Sequence, residues 1–129
     1  MTDKKNRTIL IVEDESQNRK LFRDVLQYRG YTVLEAMNGQ EGIALAKQHQ
    51  PDLILMDIQM PVMDGLSATR ILKQNETTQH IMVVALTANA MPGDKEKILE
   101  AGCHDYISKP FHLHEFLEKI KEYLPENSV

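Results

Sequence analysis

Five short runs rich in β-branched and other apolar residues punctuate the chain, at Thr8–Val12, Thr32–Ala36, Leu53–Asp57, Met82–Leu86 and Asp105–Ser108. Their length and flanking polar residues predict strands. Between them apolar residues recur three and four apart, which predicts helices over 17–29, 39–49, 67–74, 93–101 and 114–124. In the first helix Leu21, Phe22, Val25 and Leu26 should form one face, with Asp14 or Ser16 as its cap and Gly30 as a left-handed stop. Strands alternating with helices imply a parallel sheet covered on both faces. The first, third and fourth runs are the most uniformly apolar, so they should be the central strands, buried from both sides. Right-handed crossovers then close the chain as a doubly wound α/β fold whose ligand crevice lies beyond the carboxyl ends of the strands.

Residues at those carboxyl ends change the picture from architecture to chemistry. Glu13 and Asp14 follow the first strand, Asp57 closes the third, Thr87 follows the fourth and Lys109 follows the fifth. Three carboxylates in one crevice repel unless a cation neutralises them or one takes up a proton. A hard divalent ion suits them: Mg²⁺ prefers oxygen ligands and is commonly held by one or two carboxylates and a phosphate. Glu13, Asp14 and Asp57 can supply such ligands, with the backbone carbonyl of Gln59 as a further oxygen. A hydroxyl and an ammonium converging on the same place suit a phosphoryl group. With Asp57 as nucleophile, the metal, Lys109 and Thr87 would each stabilise an equatorial oxygen of the transition state. An acyl phosphate on Asp57 is the product of that attack.

At these positions the sequence resembles the receiver domains of bacterial two-component response regulators. The pattern stands here as Ile9-Leu-Ile-Val-Glu-Asp14, Leu53-Ile-Leu-Met-Asp57, Met60-Pro-Val-Met-Asp-Gly65, Ala85-Leu-Thr-Ala88 and Tyr106-Ile-Ser-Lys-Pro110. The resemblance implies a flavodoxin-like receiver fold, a five-stranded parallel sheet in the order 2-1-3-4-5 with five helices. It also implies that Asp57 accepts phosphate from a sensor histidine kinase or a histidine phosphotransfer protein, with Mg²⁺ as cofactor. Thr87 and Tyr106 are then the switch, and a downstream protein reads the face made by the fourth helix, fifth strand and fifth helix. Such a domain is a phospho-acceptor switch rather than an enzyme with an external substrate, catalysing only its own phosphotransfer and dephosphorylation. In this family the Lys109–Pro110 bond is usually cis, Pro61, Asp64 and Gly65 shape the loop after Asp57, and side chains such as Gln59 and Asn89 tune the lifetime of the phosphoryl group. Met60, Met63 and Met91 either form an adaptable docking surface or fill gaps.

Composition bounds the rest. At 129 residues the chain suits one domain, expected over 8–124 with polar tails at 1–7 and 125–129. A net charge of −4 argues against nucleic-acid binding, which draws on clustered Lys and Arg. The short basic run Lys4, Lys5 and Arg7 reads as a solvated tail. No apolar run approaches the roughly 20 residues of a membrane span, and the polar N-terminus has no signal-peptide character, so a cytoplasmic protein is expected. Cys103 has no partner for an internal disulfide, and it reads as a small, semi-buried residue. With no output domain evident, the chain resembles stand-alone regulators, although a receiver excised from a hybrid kinase would carry similar segments. Rival readings fare worse. A haloacid-dehalogenase-type phosphatase needs a second Asp two residues after the nucleophile, where Gln59 stands. A flavin carrier needs a hydroxyl- and glycine-rich loop where Glu13-Asp-Glu-Ser16 is acidic. A scaffold that has lost phosphorylation would not be expected to keep all five key side chains. His112 and His114 stand two apart, which does not match helical metal-ligand spacing.

Overall fold

The alternation of strands and helices is present in the computed structural model, which describes residues 7–60, 63–88, 93–109 and 112–125. In chain order the elements are β1 (Thr8–Val12), α1 (Ser16–Tyr28), β2 (Thr32–Ala36), α2 (Gly39–His49), β3 (Leu53–Asp57), α3 (Gly65–Gln74), β4 (Met82–Thr87), α4 (Asp94–Glu100), β5 (Asp105–Ser108) and α5 (Leu113–Tyr123). Every strand pair is parallel, and the sheet order is β2-β1-β3-β4-β5, as the resemblance implied. β1, β3 and β4 are the central strands, as their apolar runs required.

Because side chains alternate across a strand, the sheet divides the core into two layers. Leu10, Val12, Ile54, Met56, Val83 and Ala85 face α2, α3 and α4. Ile9, Ile11, Leu53, Leu55, Val84 and Leu86 face α1 and α5, where the rings of Phe22 and Phe116 pack 5.3 Å apart. Burying a side chain of this size stabilises the fold by about 1.5–3 kcal/mol.

Helix boundaries depart from the periodicity in two informative places. α1 is capped by Glu15, whose side chain makes no capping bond, and not by Asp14 or Ser16. Its buried face is Phe22 and Leu26 with Val25 half-buried, whereas Leu21 is 48% exposed. The left-handed stop is where it was expected: Gly30 has φ +94°, and the amide of Tyr31 returns to the Leu26 carbonyl at 3.1 Å. α3 begins two residues before the apolar pattern does. Asp64, expected to be a turn residue, is its N-cap and accepts from the Ser67 amide at 2.9 Å, so Gly65 is already helical. That hydrogen bond holds the Asp64 carboxyl below its ordinary range. Asp64→Ala is expected to cost about 1 kcal/mol of stability at neutral pH, measured by urea denaturation. The loss should be smaller below the ordinary Asp range, because a group with a lowered native pKa stabilises only while it is ionised.

Candidate functional site

Register determines which side chains meet at the carboxyl edge. Val12 pairs with Met56, Asp57 with Leu86 and Thr87 with Ser108. The residues that follow or end these strands therefore gather at one rim. Glu13 continues β1, with its amide bonded to the Ala36 carbonyl of β2 at 3.1 Å. Glu13, Asp57 and Thr87 are buried to 1%, 4% and 1% exposure, while Asp14 faces solvent. One carboxylate oxygen from each of Glu13, Asp14 and Asp57 lies within 4.8 Å of the others. Lys109 reaches across from the end of β5, placing Nζ 3.3 Å from Glu13 Oε1 and 3.7 Å from Asp57 Oδ2. Its backbone is held by Thr87, whose carbonyl accepts from the Lys109 amide at 2.7 Å.

The electrostatics are those of a crowded acidic cluster. Burial, followed by the neighbouring Asp57 carboxylate, pushes the Glu13 carboxyl up to about 7. Lys109 and the Glu15 amide, which donates to Glu13 Oε2 at 3.3 Å, pull in the opposite direction but do not win. Asp57 is oriented by the Gln59 amide, which donates to Oδ1 at 3.0 Å. Three convergent carboxylates, two of them buried and one exposed, form a donor set that fits a hard divalent cation reached from solvent.

Five of the sequence candidates, Glu13, Asp14, Asp57, Thr87 and Lys109, thus lie at one end of the sheet. Tyr106 is half-buried on β5, opposite Ala85, and packs on the α2–α4 side of the core, the side to which alternation also assigns Thr87. Gln59 is exposed in the loop after β3. Met60 is buried in the core and Met63 packs against it, which favours gap filling over docking. His112 and His114 are exposed, and Cys103 is more buried than expected, at 6% exposure. Pro61, Asn89, Met91 and Pro110 lie outside the described residues. Sequence reasoning missed Arg19, whose Nη1 donates to the Glu13 carbonyl at 2.9 Å. It also missed the close approach of Gly65 to the backbone of Asp57 and Ile58. Neither leaves a signal in spacing, because both arise from contacts between elements.

Comparison with known proteins agrees with this geometry. The family described as the response regulator receiver domain matches residues 9–121. The polar-differentiation response regulator DivK of Brucella anthropi is 49% identical over 118 residues, covering 92% of this chain and 96% of that one. The receiver domain of a sensor histidine kinase from Pseudomonas aeruginosa, solved with a magnesium ion coordinated in its active-site cleft, superposes with a TM-score of 0.84 at 37% identity, covering 92% of this chain and 98% of the other. A receiver domain from Saccharomyces cerevisiae, co-crystallised with the histidine phosphotransfer protein upstream of it, superposes with a TM-score of 0.85 at 32% identity, covering 95% and 91%. With its carboxylates and lysine at the carboxyl edge of a 2-1-3-4-5 sheet, this chain belongs to the response regulator receiver domains, the phospho-acceptor switches of phosphorelay signalling.

Proposed function

We propose that Asp57 is the phospho-acceptor and that the cluster around it carries out Mg²⁺-dependent transfer from a sensor histidine kinase or a histidine phosphotransfer protein. The observation that carries this reading is the convergence of Glu13, Asp14 and Asp57 within 4.8 Å, with the Lys109 ammonium beside two of them. An Asp57 carboxylate oxygen attacks phosphorus in line, the P–N bond to the donor imidazole breaks, and the leaving nitrogen keeps the electron pair. Glu13, Asp14, Asp57 and the Gln59 carbonyl would hold the ion. When bound, Mg²⁺ offsets the charge that builds on the phosphoryl oxygens. Lys109 supplies an ammonium on one side of Asp57, and Thr87 a hydroxyl for a phosphoryl oxygen. The same groups support slow hydrolysis of the acyl phosphate, and no external substrate is turned over.

Thr87 and Tyr106 form the switch in this reading. Engagement of Thr87 by the phosphoryl group shifts an existing equilibrium in the position of the Tyr106 ring. Tyr106 lines an open groove of about 500 Å³ with Lys95, Asp105, Ser108, Glu115 and Lys119, between α4, β5 and α5. That groove is the surface a downstream protein reads. No helix among the described residues is long and apolar enough to cross a membrane, which is compatible with a cytoplasmic phosphoprotein.

Intact mass after incubation with Mg²⁺ and acetyl phosphate tests the proposal. One phosphoryl group should be gained by the wild-type protein and lost from the spectrum in Asp57→Asn or in EDTA. No gain by the wild type, or a gain that survives in Asp57→Asn, would overturn the assignment.

A further inference from the structure

Glu13 is held by both of its backbone groups, and both tethers lead to the end of β2. Its amide donates to the Ala36 carbonyl at 3.1 Å. Its carbonyl accepts from Arg19 Nη1 at 2.9 Å, and Arg19 Nε is paired with the carboxylate of Glu35, the residue before Ala36, at 3.3 Å. Arg23, one turn further along α1, takes the other Glu35 oxygen at 3.2 Å. The Arg19 side chain is 15% exposed, so this guanidinium is packed between helix and sheet and does not wave in solvent. A planar fork suits the task, since separate N–H groups serve a carbonyl and a carboxylate in fixed relative directions.

Support at this point matters because the segment leaving β1 carries two of the candidate ligands. Asp14 is exposed, and Glu15 caps α1 without a capping side-chain bond. The Glu15 amide uses Oε2 of the Glu13 carboxylate, itself one of the candidate ligand groups. Fixing the Glu13 carbonyl instead sets the direction in which the chain leaves β1 without engaging either carboxylate.

We propose that Arg19, oriented by Glu35, is a positioning residue that holds the Glu13–Asp14 segment in the geometry needed to bind the divalent ion. This rests on the reading of Glu13 and Asp14 as ligands. The Arg19 guanidinium is engaged by the Glu13 carbonyl and the Glu35 carboxylate, so it would supply no ligand to the ion. It acts through the backbone, as groups behind a metal site commonly do.

Mg²⁺ titration of the unphosphorylated full chain by calorimetry tests this, together with amide hydrogen exchange of the metal-free protein. Arg19→Ala should weaken Mg²⁺ binding about tenfold and speed exchange at Asp14 and Glu15. Arg19→Lys should restore only part of the affinity, because one ammonium does not reproduce the fork. Thr78→Val removes a buried hydroxyl that bonds the Leu72 carbonyl at 2.7 Å, far from the site in the α3–β4 connection, and serves as the control for stability lost elsewhere. It should leave Mg²⁺ affinity unchanged while lowering the melting temperature. Normal Mg²⁺ affinity in Arg19→Ala would overturn the positioning role, whatever its melting temperature. If the wild-type chain itself takes up no Mg²⁺, the ligand assignment fails and the role of Arg19 falls with it.

Discussion

Glu13→Gln is expected to make the metal-free protein more stable at pH 8 while nearly abolishing its response to Mg²⁺. In the native state the Glu13 carboxyl sits at about 7 against an ordinary value of 4.5, because it is buried and faces Asp57. Below the ordinary value both the folded and unfolded chains carry the proton, and the shift has no effect. Between 4.5 and about 7 the unfolded chain releases the proton and the folded one keeps it, so stability falls as pH rises. Above about 7 the whole penalty is present. A shift of this size corresponds to about 3 kcal/mol at most. A neutral amide removes this penalty, which is already net of the Lys109 attraction at 3.3 Å, so a gain of up to about 3 kcal/mol is expected. Urea denaturation in EDTA from pH 5 to pH 8 reads this directly: the wild type should lose stability across the range, and the variant should be nearly flat. With Mg²⁺ at about 100 times its dissociation constant the wild type should regain about 2.7 kcal/mol through ligand linkage, and the variant far less. A flat wild-type profile in EDTA would sink the argument, since it would mean that the cluster carries no electrostatic strain.

That strain also explains why the site was so readable in the sequence. A single Asp at a strand end is commonly a turn or cap residue, and it was the conjunction of Glu13, Asp57, Thr87 and Lys109 at the ends of apolar strands that stood out. The same contrast identified β1, β3 and β4 as central. The sheet order was legible only through the resemblance, because strand periodicity says which strands are buried and not which are adjacent. Boundaries were less legible where a cap decides them. Asp64 starts α3 ahead of its first buried apolar residue, and Glu15 starts α1 without any capping bond from its side chain. Contacts between elements left no trace at all. The Arg19–Glu35 pair joins residues 16 apart that lie on a helix and a strand, and each reads alone as an ordinary exposed charge.

Gly65→Ala is expected to destabilise the protein even though alanine is the better helix former. Gly65 is the first residue of α3, and its amide returns to the Ile58 carbonyl at 3.4 Å. Here two effects compete. In a helix interior the exchange gains about 1 kcal/mol from propensity, and less at a first turn. Against this, a Cβ at position 65 would lie 2.7 Å from Ile58 Cα and 2.9 Å from the Asp57 carbonyl carbon, closer than real Cβ contacts occur. The obstructing atoms are main chain, so no rotamer change relieves them, and either α3 or the loop after β3 must shift. Overpacking of this kind costs typically 1–3 kcal/mol, which exceeds the propensity gain at a helix start. A net loss of about 2 kcal/mol should lower the melting temperature by roughly 5–8 °C in a domain of this size. The displaced backbone is that of Asp57 and the residues leading to Gln59, so the consequence reaches the chemistry. The proposed nucleophile and the Gln59 amide that orients it, 3.0 Å from Oδ1, move relative to Lys109. Phosphorylation by acetyl phosphate, followed by intact mass under conditions where the variant remains folded, should therefore slow by about tenfold or more, since misplacement of reacting groups by an ångström has effects of that order. An alanine variant as stable and as readily phosphorylated as the wild type would show that α3 can withdraw freely from β3, and that the glycine is not needed to bring the helix start against the acceptor strand.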